Sequence, residues 1–296
     1  MSLGDRAFVL LQRLLPLHLV SAAMLWLSRL EWPPAAQLLI GLFGRLYAVD
    51  LSEAERDRAA DYRSLNDYFT RALRPGARRL DPDAASLVAP CDGTVSEAGR
   101  LDGDRLLQAT VDAKRHTYTL EALFADAGRA RPFIGGSFAC IYLAPHDYHR
   151  VHAPADCTLS EAWYVPGALY SVNAATARAI PGLYALNERV VLHFTSPGGP
   201  LALVLVGALN VGSISLADLG DCPPSRGRPG APERLPARRR RYVRGEEVGR
   251  FNLGSTVIVV TGPGAVRLAP SLGAGARVRL GGRLGQWLDT GGGSAP

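Results

Sequence analysis

The stretch Gly249-Arg-Phe-Asn-Leu-Gly-Ser-Thr-Val-Ile-Val-Val260 decides the fold, because a polar approach stops at Gly254-Ser255 and an unbroken β-branched run begins there. Thr256 to Val260 has the composition of a buried strand. Gly254 gives the backbone torsions closed to other residues, so the Ser255 hydroxyl can be brought against the Gly254 carbonyl carbon. Attack at that carbon would turn the peptide bond into an ester. β-Elimination of the ester would leave dehydroalanine at a new N-terminus, and hydrolysis would convert it to a pyruvoyl ketone made from the chain itself. The commoner meaning of Gly-Ser is a turn before a strand, and only the rest of the chain can decide between the two.

Upstream of this stretch, residues 218 to 247 are rich in Pro, Gly and Arg, with four consecutive arginines at Arg238 to Arg241. They predict a long exposed loop, which would let new chain ends separate if the bond after Gly254 were cut. The basic part of the loop, 234–244, faces either solvent or anionic lipid. Downstream, residues 281 to 296 end in Gly-Gly-Gly-Ser-Ala-Pro and predict a frayed tail.

Between Leu87 and Leu216 short β-rich runs alternate with Gly, Pro and Asp turns: 87–89, 94–95, 137–143, 159–165, 189–194, 201–206 and 211–216. That spacing predicts a mainly antiparallel β domain, interrupted by helices at 120–125 and at 172–179, the second capped by Ser171. The N-terminal end has a different texture. Residues 6 to 50 are leucine-rich, but Gln12, Arg13, Pro16 and His18 break the run well short of the roughly 20 apolar residues of a spanning helix. We read two helices lying on a membrane face, the second running from Pro33-Pro34 to near Asp50, with Arg13, Arg29 and Arg45 placed to meet lipid phosphates. The bland alternative is that these helices pack on the domain or on a second copy. A capping box at Ser52-Glu-Ala-Glu55 predicts a third helix, and Ser64 to Arg74 a fourth. The fold class is therefore α+β: an N-terminal helical, membrane-associating region over 1–75 and a β-rich catalytic domain over 76–296.

At 296 residues and 47% hydrophobic, the chain can bury a sizeable core. A net charge of +6 favours an anionic partner. Cys91, Cys140, Cys157 and Cys222 form no C-x-x-C pair, which fits a reducing setting and suggests neither a zinc knuckle nor a disulfide framework. No nucleotide-binding glycine motif is present, and the arginine run alone does not make a nucleic-acid reader.

The densest polar cluster is Tyr142-Leu-Ala-Pro-His-Asp-Tyr-His-Arg-Val-His152, three histidines in seven residues. A metal site would need further ligands that the sequence does not supply, so no metal is expected. Acid–base work fits better, since an imidazole can take a proton from a serine when a carboxylate fixes its tautomer. Asp92 in Ala89-Pro-Cys-Asp-Gly93 is a candidate, although Asp-Gly is most often an Asx turn. Spacing alone does not bring Asp92, His152 and Ser255 together.

Several segments of the chain carry weight when they are taken together. Leu253-Gly-Ser-Thr256, Asp147-Tyr-His-Arg-Val-His152, Pro90-Cys-Asp-Gly93, Tyr164-Val-Pro-Gly167, Ser171-Val-Asn173, Asn187-Glu-Arg-Val190, Val206-Gly-Ala208 and Val211-Gly-Ser-Ile214 stand in one order over about residues 60 to 270. Together they resemble the bacterial phosphatidylserine decarboxylases. The resemblance implies a proenzyme that cuts itself between Gly254 and Ser255 into a long β chain and a short α chain headed by a pyruvoyl group. It implies Asp92, His152 and Ser255 as the self-cleavage triad, with His152 as base and Asp92 orienting it. His149 becomes the acid–base residue of decarboxylation, and Asp147 supports the loop. It further implies phosphatidylserine in an anionic membrane as substrate, peripheral attachment to the cytoplasmic face of the cell membrane, and a homodimer. Cys91 stands where that family usually has a small residue. Two rival functions remain at this level: a lipid-surface protein with an inert Gly-Ser turn, and a pyruvoyl enzyme for a soluble amino acid.

Overall fold

A computed structural model describes residues 3–111, 114–209, 213–222 and 230–288. Among these the largest sheet has nine strands, and the Ser255–Thr261 strand lies inside it. Its neighbours are Gly199–Val206 on one side and Ser137–Leu143 on the other, both antiparallel, with Ser255 opposite Leu143 and Thr256 opposite Val206. Arg189–Ser196 and Cys157–Val165 continue the sheet one way, Gly93–Arg100 the other. Every residue of Ser255–Thr261 is buried, and all but one of Arg189–Ser196, so these strands are enclosed on both faces. This explains why Thr256 to Val260 reads as a continuous apolar run without alternation.

Two residues of the Asn187-Glu-Arg-Val190 motif work as structure. Arg189, only 2% exposed, donates to the carbonyls of Ala122, Leu123, Ala185 and Asn187, closing the ends of the short helices Leu120–Phe124 and Leu183–Leu186. Burial pulls its pKa down to about 10, but the guanidinium stays charged at neutral pH. Asn187 clamps Tyr170 through both its backbone groups and reaches the Gly207 carbonyl.

The sequence expectations need correction in several places. The N-terminal stretch forms three helices, α1 (Leu3–Leu14), α2 (Leu17–Ser28) and α3 (Pro33–Tyr47), not two. Pro16 lacks an N–H and disfavours helix at Leu15, so the first pair bends by 89°. Ser52 to Glu55 starts no helix: Ser52 bonds the Asp50 carboxylate, and Ala54 bridges to Leu73, tying the segment into the body. The fourth helix starts at Ser64 as expected but is cut to α4 (Leu65–Phe69): Ser64 caps it by accepting from the Asp67 N–H, Thr70 ends it, and the buried Arg71 donates to the His146 and Asp147 carbonyls instead. The helix Ala174–Ala179 is capped by Asn173 rather than Ser171. The loop at 218–247 is partly ordered: Glu233–Arg234 and Arg240–Tyr242 both pair with Cys157–Val165, and Arg240 is held by Asp218 and Glu246. Residues 223–229 of that loop and 211–212 of the expected 211–216 strand lie outside the described residues. The tail is not frayed at its start, since Arg283–Trp287 pairs with Ser86–Val88 and Val266–Leu268; 289–296 lie outside the described residues.

No single helix among the described residues is long and apolar enough to cross a membrane. Each N-terminal helix packs one side inward through Val9, Gln12, Leu17, Ser21, Ala36 and Ile40. Gln12 is 2% exposed and bonds both Ser171 and Thr176 of the β domain. The other sides leave Leu14, Leu19, Trp26, Trp32, Leu42 and Leu46 each more than half exposed. The packing alternative is therefore right for one side of these helices and silent on the other. Arg29 is not free for lipid, because Asp221 and Ser213 hold its guanidinium.

His193 supplies a test of the core. It lies against Phe124 and Phe133 with its Nε2 unpartnered, near Arg129, Glu161 and Asp126, and burial brings its pKa down to about 4. Between that value and the ordinary 6.5 the unfolded chain binds a proton that the folded chain refuses, so stability falls as pH falls through this window. The slope is about 1.4 kcal/mol per pH unit for one such group. In His193→Phe, the loss of melting temperature between pH 7 and pH 5 should be smaller than in the unaltered chain. An unchanged loss would contradict this origin of the acid sensitivity.

Candidate active site

Ser255 is the first residue of its strand and is 1% exposed, and its Oγ has no hydrogen-bond partner. A buried hydroxyl without a partner costs free energy, so its persistence needs a reason. The two residues before it are contorted: Leu253 has φ 152° and Gly254 φ 54°. A leucine there is strained, and only the glycine takes its torsion cheaply. The unpartnered hydroxyl thus follows a backbone already bent away from extended geometry.

Two connections run side by side at this end of the sheet. One, 144–149, joins Ser137–Leu143 to the Arg150–His152 strand, and the other, 252–254, joins Glu247–Phe251 to Ser255–Thr261. The strands on both sides of them are paired, and the Phe251 N–H donates to the His149 carbonyl at 3.1 Å. The histidine cluster and the Gly-Ser bond are brought together by this register.

His149 is fully buried beneath Phe69, with ring centroids 4.0 Å apart. Its Nδ1–H donates to the Asp147 carbonyl at 2.9 Å, which leaves Nε2 as a bare acceptor with no partner. Burial drives its pKa down to about 3, so the ring is neutral at working pH. Asp147 accepts from the Ala144 N–H and pairs with Arg277, closing the loop that carries His149. Arg71, 5% exposed and two residues past the end of α4, donates to the carbonyls of His146 and Asp147 and holds the same loop.

His152 and Asp92 are placed differently from the expected relay. The His152 Nδ1–H donates to the Gly245 carbonyl at 2.8 Å, and Nε2 accepts from the Tyr148 hydroxyl at 3.0 Å. Asp92 accepts from the Leu280 N–H and from Arg78, which also pairs with Glu53. Asp92 therefore makes no hydrogen bond to His152, and the tautomer is fixed by Gly245. The carboxylate acts on the imidazole only as a nearby charge that favours its protonated form, against the burial that lowers the His152 pKa. The His152 N–H does reach the Pro90 carbonyl at 2.8 Å, and Gly93 lies so close to the next strand that a Cβ there would stand 2.5 Å from the Tyr142 carbonyl oxygen. Asp92 and Ser255 thus flank opposite sides of the end of Ser137–Leu143, and no hydrogen bond joins Asp92 to His152 or His152 to Ser255.

Tyr148, Gly245, Phe69 and Arg71 were not singled out from the sequence. Tyr148 sits inside the histidine run and was within reach; the other three act through backbone or ring contacts that carry no local signal.

The chain matches the family model described as Phosphatidylserine decarboxylase over residues 65–286, and one described as PSD over residues 7–48. Similar curated proteins include the "Phosphatidylserine decarboxylase proenzyme" of Hahella chejuensis, 45% identical over 98% of this chain and 97% of that one. Those of Bordetella avium, 44% identical with 95% of each chain covered, and of Pseudomonas fluorescens, 45% identical over 96% and 98%, carry the same name.

Proposed function

The chain belongs to the phosphatidylserine decarboxylase family, and from that premise we propose that it converts phosphatidylserine to phosphatidylethanolamine after cutting itself between Gly254 and Ser255. The observation that carries this reading is the Ser255 hydroxyl, buried and unpartnered behind the contorted Leu253-Gly254. These residues fit the precursor of a pyruvoyl group: an inert buried serine would be expected to hold a hydrogen bond, whereas this hydroxyl is left free to turn its hydrogen to a base and its oxygen to the Gly254 carbonyl carbon. Once formed, that group supplies a ketone that accepts the substrate's amine and takes up the electrons released as carbon dioxide leaves.

For maturation, His152 takes the Ser255 proton, which requires its Nε2 to exchange the Tyr148 hydroxyl for Ser255. The Gly245 carbonyl keeps Nδ1–H in place during the exchange, and Asp92 stabilises the resulting positive charge through space. For decarboxylation, the neutral His149 first accepts, at Nε2, a proton that the incoming ammonium must lose. It then returns a proton to the former α-carbon once carbon dioxide has gone. Phe69 and the Arg71-braced loop keep that nitrogen dry and fixed.

The substrate lies in a bilayer, and α1 to α3 offer the means of reaching it. Their outward leucines and tryptophans, with exposed Arg13 and Arg45 among them, suit the cytoplasmic face of an anionic membrane. Each leucine withdrawn from water contributes about 1.5–3 kcal/mol. The combined change Leu14→Ser, Leu19→Ser and Trp26→Ser should therefore move most of the protein from the pellet to the supernatant when phosphatidylserine vesicles are sedimented. Unchanged sedimentation would remove these helices from membrane attachment. Pairing of two copies belongs to the same proposal and would show as twice the chain mass by light scattering.

The activity itself is tested by release of carbon dioxide from phosphatidylserine vesicles and from free serine. Turnover of the vesicles alone supports the lipid substrate; turnover of serine alone would replace it with a soluble amino acid.

A further inference from the structure

Asn252, two residues before the bond to be cut, is 1% exposed and buried in a polar chain that leads to the membrane-facing helices. Its side-chain N–H groups donate to Ser213 Oγ and Ser215 Oγ, each at 2.7 Å, and its backbone N–H donates to the Ser213 carbonyl at 3.0 Å. Ser215 in turn donates to Asp221 Oδ1. The other oxygen of Asp221 pairs with Arg29, which also donates to Ser213 Oγ at 3.4 Å. Arg29 is the residue that ends α2.

Each serine hydroxyl in this chain is engaged from two sides, and the buried amide has both its hydrogens used. The Asn252 side chain is thereby held in one orientation, and with it the start of the contorted Leu253-Gly254 segment. Attack by a hydroxyl on a neighbouring carbonyl is sensitive to shifts of an ångström or less. We propose that Asn252, held through Ser213, Ser215 and Asp221 by Arg29, is the positioning residue for self-cleavage, so that the seating of α2 sets the rate of maturation. This rests on the self-cleavage reading above.

The test follows freshly translated full-length chain as it converts to fragments, by gel and intact mass. Asn252→Ala should lengthen the half-time of cleavage on the order of tenfold or more, and Arg29→Met severalfold. Arg29→Lys, which keeps the charge, should recover most of the rate. The double variant should cleave no more slowly than Asn252→Ala alone, because Arg29 acts through Asn252. Turnover per pyruvoyl formed should match that of the unaltered enzyme in every variant. Melting temperatures measured in a Ser255→Ala background, where nothing is cut, separate positioning from loss of fold. Half-times equal to that of the unaltered chain, or delays that only track a fall in melting temperature, would overturn the proposal while leaving self-cleavage intact. An unaltered chain that is never cut would overturn both.

Discussion

Ser255→Ala should run as one uncleaved band of 31.6 kDa on a denaturing gel and release no measurable carbon dioxide from phosphatidylserine, while the unaltered chain gives fragments 1–254 and 255–296. The loss is total because the hydroxyl serves twice, as the attacking group and as the source of the ketone. The substitution is also unusually clean. Ser255 Oγ has no partner to orphan, so removing it breaks no hydrogen bond and spares a desolvated polar group. Measured against freshly made, still uncut chain, the melting temperature should therefore hold or rise slightly, a change within about 1 kcal/mol. A processed, active Ser255→Ala protein would remove the central residue from the scheme.

His149→Ala should separate the two reactions. Cleavage needs His152, whose contacts run to Gly245 and Tyr148, and none of these passes through the His149 ring. Maturation should therefore go to completion. Decarboxylation needs a proton carrier whose nitrogen is free, and His149 Nε2 is the buried imidazole nitrogen of this loop without a partner. Its loss should lower kcat by about 10²–10⁴, the ordinary worth of general acid–base catalysis, with little change in KM. The chain would be less stable by a few kcal/mol, because Phe69 loses the ring it packs on. A melting curve read beside the kinetics separates that effect from the chemistry. Equal loss of cleavage and turnover would move His149 into the maturation machinery.

How far the residues themselves announced this arrangement depended on whether a feature was local. The central strand was legible because six β-branched residues, Thr256 to Thr261, follow Gly254-Ser255 without a break. The start of the fourth helix at Ser64 and the helix near Leu120 were legible for the same reason, as each rests on contacts within four residues. The capping box at Ser52 failed because Asp50 and Leu73 offered its groups better partners, and only the folded chain places Leu73 there. Pro16 was noticed as an interruption, yet its bend produces a third helix rather than a shorter second one. At the site, motif order pointed to Asp92, His152, His149 and Ser255, but not to their hydrogen bonds. Asp92 is claimed by Arg78 and by the Leu280 N–H, groups 14 and 188 residues away, and no spacing rule predicts either. Arg29 was assigned to lipid on its charge alone, whereas an acid 192 residues on holds it.

The central claim is that Ser255 breaks the backbone in front of it and becomes the reactive ketone. Intact mass spectrometry of the freshly purified, active protein tests it most directly. The account predicts a fragment that begins at residue 255 with a keto group in place of its amine, beside a fragment ending at Gly254. Active protein found as one unbroken chain of 296 residues, with its only free α-amine at the original N-terminus, would contradict it.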